Sequence, residues 1–258
     1  MKRIVAAMIA AAGTLAVAGT ASADALKIGI SAEPYPPFTY KSSGGEWTGF
    51  EVELADAICA EMGADCTITP TGWGGIIPAL NSGKIDVIMN SMSITEKRDK
   101  VIDFSDPYYY TRGAFVAAAG MELNDLPGDL EGKILGVQGA TTHASYAREE
   151  LSDVVSRIQQ YDQQEQANRD LLAGRIDVVL ADEIAMSEFV ERDDVAGDYA
   201  IKVKAPKHPA FGEGIGIGVR EDDDELTRRL NAAIATVLEN GTCSELSQKY
   251  FGTDICGA

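Results

Sequence analysis

Two stretches of the chain repeat one pattern of apolar and polar positions. Leu80 to Asn90 reads LNSGKIDVIMN, and Leu171 to Ala181 reads LLAGRIDVVLA. In each, apolar residues at helical spacing stop at a glycine, Gly83 or Gly174, suited to the left-handed residue that closes a helix. A basic residue and a short apolar run follow, the pattern of a buried strand. A second matching pair lies upstream, in short strands predicted at Leu26 to Ile30 and Lys133 to Val137, each followed by turn-forming residues and a helix. Strands alternating with helices predict parallel sheets with covered faces, so each half of the chain is expected to be an α/β lobe. Ligands of such sheets sit beyond the carboxyl ends of the strands. The polar residues there are Glu33 to Phe38, Ser91 to Ser93, Gly139 to Thr142, and Asp182 with Glu183. They are expected to converge on one cleft between two lobes, although the repeat alone also fits two independent domains.

The N-terminus follows another pattern. Lys2 and Arg3 precede an alanine-rich apolar run from Ile4 to Ala18, and Ala21-Ser22-Ala23 supplies a small-x-small cleavage site. Residues 1–23 therefore read as a signal peptide. The run falls short of the ~20 residues a spanning helix needs, and no later segment reaches that length without charges. The mature protein is expected to begin near Asp24, with no cysteine there to carry a lipid anchor, and to be free in the periplasm. The remaining 235 residues suffice for one large domain or two modest ones.

Composition narrows the function. The chain has 22 basic and 40 acidic side chains, a net charge of −18, or −20 once Lys2 and Arg3 are removed. Such an acidic surface argues against nucleic acid or an anionic membrane as partner. Four cysteines, Cys59, Cys66, Cys243 and Cys256, are an even number in an exported chain and point to two disulfides. Local pairing is one of three possible connectivities, and would contribute roughly 2.5 to 3 kcal/mol per bridge. A zinc site is disfavoured, because there is no CxxC spacing and only two histidines are present. Nothing in the sequence calls for a cofactor. The glycines of Gly214 to Val219 lie inside an apolar run rather than between a strand and a helix, so they are not a dinucleotide loop.

Seven segments, in order, then carry a resemblance: AEPYPPF (32–38), GFEVELADAIC (49–59), GIIPALNSGKIDVIMNSMSITEKR (75–98), DFSDPYY (103–109), GVQGATTHASY (136–146), AGRIDVVLADE (173–183) and NGTCSELSQKYFG (240–252). Over essentially the whole mature chain it resembles the polar amino-acid binding proteins of ABC importers, the solute-binding family that includes the lysine/arginine/ornithine and histidine binding proteins. The resemblance implies a two-lobe Venus-flytrap α/β fold with two hinge crossings, near Tyr110 to Gly113 and Lys207 to Gly212. The first lobe would comprise residues 24–111 and 212–258, with the strand at Gly214 to Val219 rejoining its sheet, and the second lobe residues 112–211. It also implies a monomer that delivers a polar amino acid, with cationic side chains favoured, to a membrane permease.

An amino acid brings a carboxylate and an ammonium, and burying either unpaired is costly, so the pocket needs a charged donor and a charged acceptor. By resemblance, Arg98 grips the carboxylate and Thr141, with Gly139, meets it from a helix N-terminus. The spacing Ser93-x-x-Glu96 reads as a capping box that starts a helix carrying Arg98. Asp182 matches the acid that binds the ammonium, with Ser91 and Ser93 as neighbouring acceptors and Asn90 as a further polar group. Tyr35 and Trp73 match aromatic positions that sandwich the ligand side chain, a cation-π gain of about 0.5 to 2 kcal/mol for a cationic one. Glu33 stands two residues before Tyr35, where the cationic binders carry an acid three before; a shifted loop would aim it at a distal positive charge.

The competing readings are structural: a solvent-facing Arg98, turn serines, a core-packed Tyr35. His143 reads as a surface or helix residue. Two rival classes share the pattern. A periplasmic cyclohexadienyl dehydratase of the same fold would use Asp182 or Glu183 as acid or base, and a sensor would hand its ligand to a receptor. Neither a histidine nor a cysteine base points to turnover, and the expectation is a binding protein without enzymatic activity.

Overall fold

The structure, a computed structural model, describes residues 25–257. The signal peptide expected at 1–23 lies outside the described residues. The chain opens with β1 (Ala25–Ser31), passes through a hairpin of β2 (Tyr40–Lys41) and β3 (Trp47–Thr48), and enters α1 (Phe50–Met62). Next come β4 (Asp65–Thr71), α2 (Ile76–Asn81), β5 (Val87–Ile88) and β6 (Asp103–Phe104). A second group follows: β7 (Gly113–Ala118), β8 (Ile134–Gln138), α3 (Thr142–Glu150), β9 (Arg157–Tyr161), α4 (Gln164–Leu172), β10 (Val178–Asp182), α5 (Glu183–Glu191) and β11 (Tyr199–Lys204). The chain ends with β12 (Gly218–Val219), α6 (Asp224–Glu239) and α7 (Thr242–Phe251).

These strands form two five-stranded sheets, ordered β4-β1-β5-β12-β6 and β11-β7-β10-β8-β9. The chain thus passes between sheets twice, after β6 and after β11. Both sheets are mixed, whereas the alternation of strands and helices predicts parallel ones. The reason lies in the connections: β7 follows a passage between sheets without a crossover helix, and so runs antiparallel to β10 and β11. Likewise β12 returns antiparallel to β5 and β6. Of the strand predicted at Gly214 to Val219, only Gly218–Val219 joins the ladder, while Ile215 makes isolated bridges to Ser93 and Tyr109.

The repeated units fold as their glycines require. Gly83 and Gly174 have φ of 72° and 66°, the left-handed region that ends a helix, and each donates its N–H to a leucine carbonyl three residues back. A disulfide joins Cys59 of α1 to Cys66 of β4, and another joins Cys243 of α7 to Cys256. Among the described residues, no helix is long and apolar enough to cross a membrane.

Candidate functional site

A cleft of about 940 Å³, part of it open to solvent, lies between the carboxyl ends of the two sets of strands. One wall is formed by Glu33, Tyr35, Trp73, Asn90, Ser91, Ser93 and Arg98; the other by Gln138, Thr141, Thr142, His143, Gln164 and Asp182. The passages between the sheets supply the floor, through Tyr110 to Gly113 and Phe211 to Gly214.

Arg98 sits between two consecutive turns, closed on the Thr95 and Arg98 carbonyls, rather than in the α-helix that the Ser93-x-x-Glu96 spacing predicts. The physical reason is that Ser93 is engaged elsewhere: its backbone bridges Ile215 and its carbonyl accepts from Arg98 Nη1 at 2.8 Å. Thr95 caps the first turn instead, its hydroxyl accepting from the Arg98 N–H at 3.3 Å, and Glu96 lies at the surface with Lys100. Arg98 Nη2 reaches across the cleft to the Ala140 carbonyl at 3.2 Å, and the guanidinium lies 5.5 Å from the Trp73 ring centroid. Burial lowers its pKa to about 10, which leaves it charged at neutral pH. The Trp73 indole N–H is buried and has no hydrogen-bond partner among the described residues.

Opposite stands Asp182, the last residue of β10 and N-cap of α5. Its carboxylate accepts from the Ile184 N–H at 2.9 Å and the Ala185 N–H at 3.4 Å. Burial pushes its pKa up to about 6; the Thr111 hydroxyl and those two N–H groups pull it back, and Glu183 adds a small upward push. Glu183 points away, paired to Lys204 at 2.6 Å.

The start of α3 redistributes the roles that the loop Gly139 to Thr142 suggested. Gly139 lies off the cleft wall and donates its N–H to the Tyr161 carbonyl at 2.8 Å. The Thr141 hydroxyl is committed to the helix cap: it donates to the Gln138 carbonyl at 2.7 Å and accepts from the Ala144 N–H at 3.1 Å. The next two residues, Thr142 and His143, open the helix onto the cleft. His143 is thus a helix residue, one of the two readings its sequence allowed, and it lines the cleft rather than the surface. Burial, with Arg98 nearby, lowers its pKa to about 4, so its imidazole is neutral at neutral pH.

The remaining predicted residues also line the cleft. Glu33 does so, with one carboxylate oxygen accepting from the Ser31 hydroxyl at 2.7 Å. Asn90 is buried and spends its side-chain carbonyl on the Ser31 N–H at 2.8 Å, bracing the end of β1. Tyr35 stacks on Phe38 at 5.8 Å, which in turn stacks on Tyr109 at 5.9 Å, and its hydroxyl end lies against Asp182 across the cleft. Ser91 adopts a left-handed φ of 50°.

Sequence reasoning missed Thr111 and Gln164. Gln164 is buried at the start of α4, and its amide donates to Asn168 Oδ1 at 2.9 Å, leaving its carbonyl oxygen for the cleft. The strand-end rule, applied to β9 as it was to the other strands, points to it. Chemically, the cleft sets a guanidinium and helix N–H groups against a carboxylate and neutral acceptors.

Residues 26–253 match the bacterial extracellular solute-binding proteins, family 3. The chain is 39% identical to the L-arginine-binding protein of Pseudomonas aeruginosa, over 90% of each chain. It is 37% identical to the histidine-binding periplasmic protein of Salmonella typhimurium, again over 90% of each. Among solved structures, an ancestral arginine-binding protein bound to arginine superposes with a TM-score of 0.81 at 35% identity, covering 88% of this chain and 98% of the other.

Proposed function

Since the chain belongs to the bacterial extracellular solute-binding proteins of family 3, we propose that it is the periplasmic binding component of an amino-acid ABC importer, taking a polar L-amino acid with a preference for the cationic ones. The observation that carries this reading is the placement of Arg98 and Asp182 on opposite walls of one cleft, both desolvated. Arg98 pairs with the ligand carboxylate, helped by the α3 N–H groups of Thr142 and His143; Asp182 pairs with the ammonium, helped by Ser91 and Ser93. Each charge is buried at a cost that its partner on the ligand offsets.

Glu33 and the Gln164 carbonyl give the cleft acceptors for a distal positive group, and Tyr35 and Trp73 flank the ligand side chain. The neutral His143 adds no competing cation. The arginine and histidine relatives support this class of ligand. Because the ligand charges are met from both walls, binding favours the closed arrangement, and that closed form is what a permease recognises.

Calorimetric titration of the mature protein, unfolded and refolded to strip carried-over ligand, tests the reading against the common L-amino acids and ornithine. One-to-one binding of arginine, lysine, ornithine or histidine is expected. Binding of neutral polar amino acids alone removes the distal role of Glu33, and binding of none overturns the proposal.

A further inference from the structure

Behind the cleft wall lies a carboxylate that the reading above does not use. Glu51, in the first turn of α1, is fully buried. Its two oxygens meet the Tyr108 hydroxyl at 2.8 Å, the Tyr109 hydroxyl at 2.6 Å and the Ser91 N–H at 2.8 Å. Burial raises its pKa above the usual carboxylate range, and the hydrogen bonds from Tyr109, Tyr108 and Ser91 pull it back; donors in this number satisfy the lone pairs of the ionised form. The Ser91 N–H bond also helps to hold that residue in its left-handed conformation, a strained one for a non-glycine residue that persists only where its surroundings over-determine it.

The proton positions follow from counting donors. Tyr109 Oη lies 2.6 Å from Glu51 and 2.8 Å from Ser91 Oγ, but a tyrosine has one proton to give. A charged acceptor takes it in preference to a hydroxyl. Tyr109 then accepts the Ser91 proton. The 3.3 Å approach of Ser91 Oγ to Glu51 has the same sense, since it too turns the hydroxyl proton inward. Either way, the side of Ser91 Oγ that faces the cleft carries lone pairs only.

We propose that Glu51 is a positioning residue that fixes Ser91 as a pure hydrogen-bond acceptor toward the cleft, so that the site selects ligands with an ammonium beside it. This rests on reading the cleft as an amino-acid site. Without Glu51, the Tyr109 proton has Ser91 Oγ as its nearest acceptor, and the serine turns its own proton to the cleft.

The experiment measures a ratio of affinities by calorimetry: that of the amino acid bound best by the mature wild-type protein, among arginine, lysine, ornithine and histidine, over that of its deaminated acid. Glu51→Met is expected to lower this ratio about tenfold, the effect of losing one charge-assisted hydrogen bond. Adding Tyr109→Phe to Glu51→Met removes the reversed donor and is expected to restore about threefold of it, a rescue that a merely structural role does not produce. If Glu51→Met fails to fold, the isosteric Glu51→Gln carries the same sign, at about threefold. An unchanged ratio in the folded variants, with both compounds weakened alike, overturns the inference while leaving the amino-acid site intact. A wild-type protein that binds no amino acid overturns that reading and this inference together.

Discussion

The two repeated units can be compared bond by bond. In the first, the Lys27 N–H of β1 donates to Asp86 Oδ2 at 3.0 Å and the Asp86 N–H returns to the Lys27 carbonyl at 2.8 Å. In the second, the Ile134 N–H of β8 donates to Asp177 Oδ2 at 2.7 Å and the Asp177 N–H returns to the Ile134 carbonyl at 3.0 Å. Gly29 faces Ile85 in one sheet and Gly136 faces Ile176 in the other, so closely that an added Cβ would collide with the isoleucine. The likeness ends where the strands do. Beyond β5 come two neutral residues, Asn90 bonded to the Ser31 N–H and Ser91 braced from behind by Glu51; at the end of β10 stands Asp182, a carboxylate held by the start of α5. A shared scaffold therefore decides where the functional groups stand, and the one or two residues after each strand decide their charge.

The strongest way to break this comparison is to remove the charge that each wall of the cleft presents to the ligand carboxylate or ammonium. Arg98→Ala and Asp182→Asn are each expected to weaken amino-acid binding by about 30-fold to several thousand-fold, the consequence of leaving a desolvated ligand charge unpaired. Titration calorimetry reads the loss, and circular dichroism should show the fold unchanged. A second contrast is covalent. Both disulfides lie on the side of the first sheet, Cys59–Cys66 tying α1 to β4 and Cys243–Cys256 tying α7 to the C-terminal segment. Replacing either pair by serines should cost about 2.5 to 3 kcal/mol in urea denaturation, and hydrogen exchange should place the added opening in the first lobe.

The matched glycines sharpen the likeness instead. Gly29→Ala and Gly136→Ala should destabilise to similar extents, about 1 to 3 kcal/mol each, as buried isoleucines are displaced; unequal costs would mean that the two units differ in packing as well as in their ends.

The smallest effect is in pH. The folded-state pKa of Asp182 lies above that of an unfolded aspartate, at about 6. The ligand-free protein therefore carries a stabilising proton there, fully effective below pH ~3.9 and lost as the pH rises through 6. Pairing with an ammonium needs the ionised form, so affinity should fall toward a tenfold loss per pH unit below about 6. Binding near pH 6 should also release a proton, detectable as a heat that varies with the buffer, and Asp182→Asn should abolish the release.

Much of this was legible in the sequence because the repeat marks helix ends and strand ends directly. Gly83 and Gly174 announce their left-handed turns, and Glu33 and Tyr35 after β1, Asn90, Ser91 and Ser93 after β5, and Asp182 at the end of β10 fall on the cleft as strand topology requires, although Glu183 turns away. What was illegible depends on contacts between distant segments. The antiparallel course of β7 and β12 is set by the two passages between sheets, which no local pattern encodes. The cap at Thr95 instead of Ser93 follows from a bridge to Ile215, more than a hundred residues away in the chain. Thr141 looked like a binding residue because a cap and an anion site share their chemistry; only the structure shows its hydroxyl committed to the cap and Thr142 beside it facing the cleft. Glu51 reads as one acidic residue among many at a helix start, and its burial becomes visible only when Tyr108 and Tyr109 fold over it.

The central claim is that the two walls meet the two charges of one amino acid. The most direct test is to titrate the mature, ligand-stripped protein with its best-binding amino acid, the corresponding decarboxylated amine and the deaminated acid. Both analogues are predicted to bind at least about a hundredfold more weakly than the parent, since each leaves a desolvated charge on one wall without a partner. Equal binding of the parent and either analogue would contradict the account.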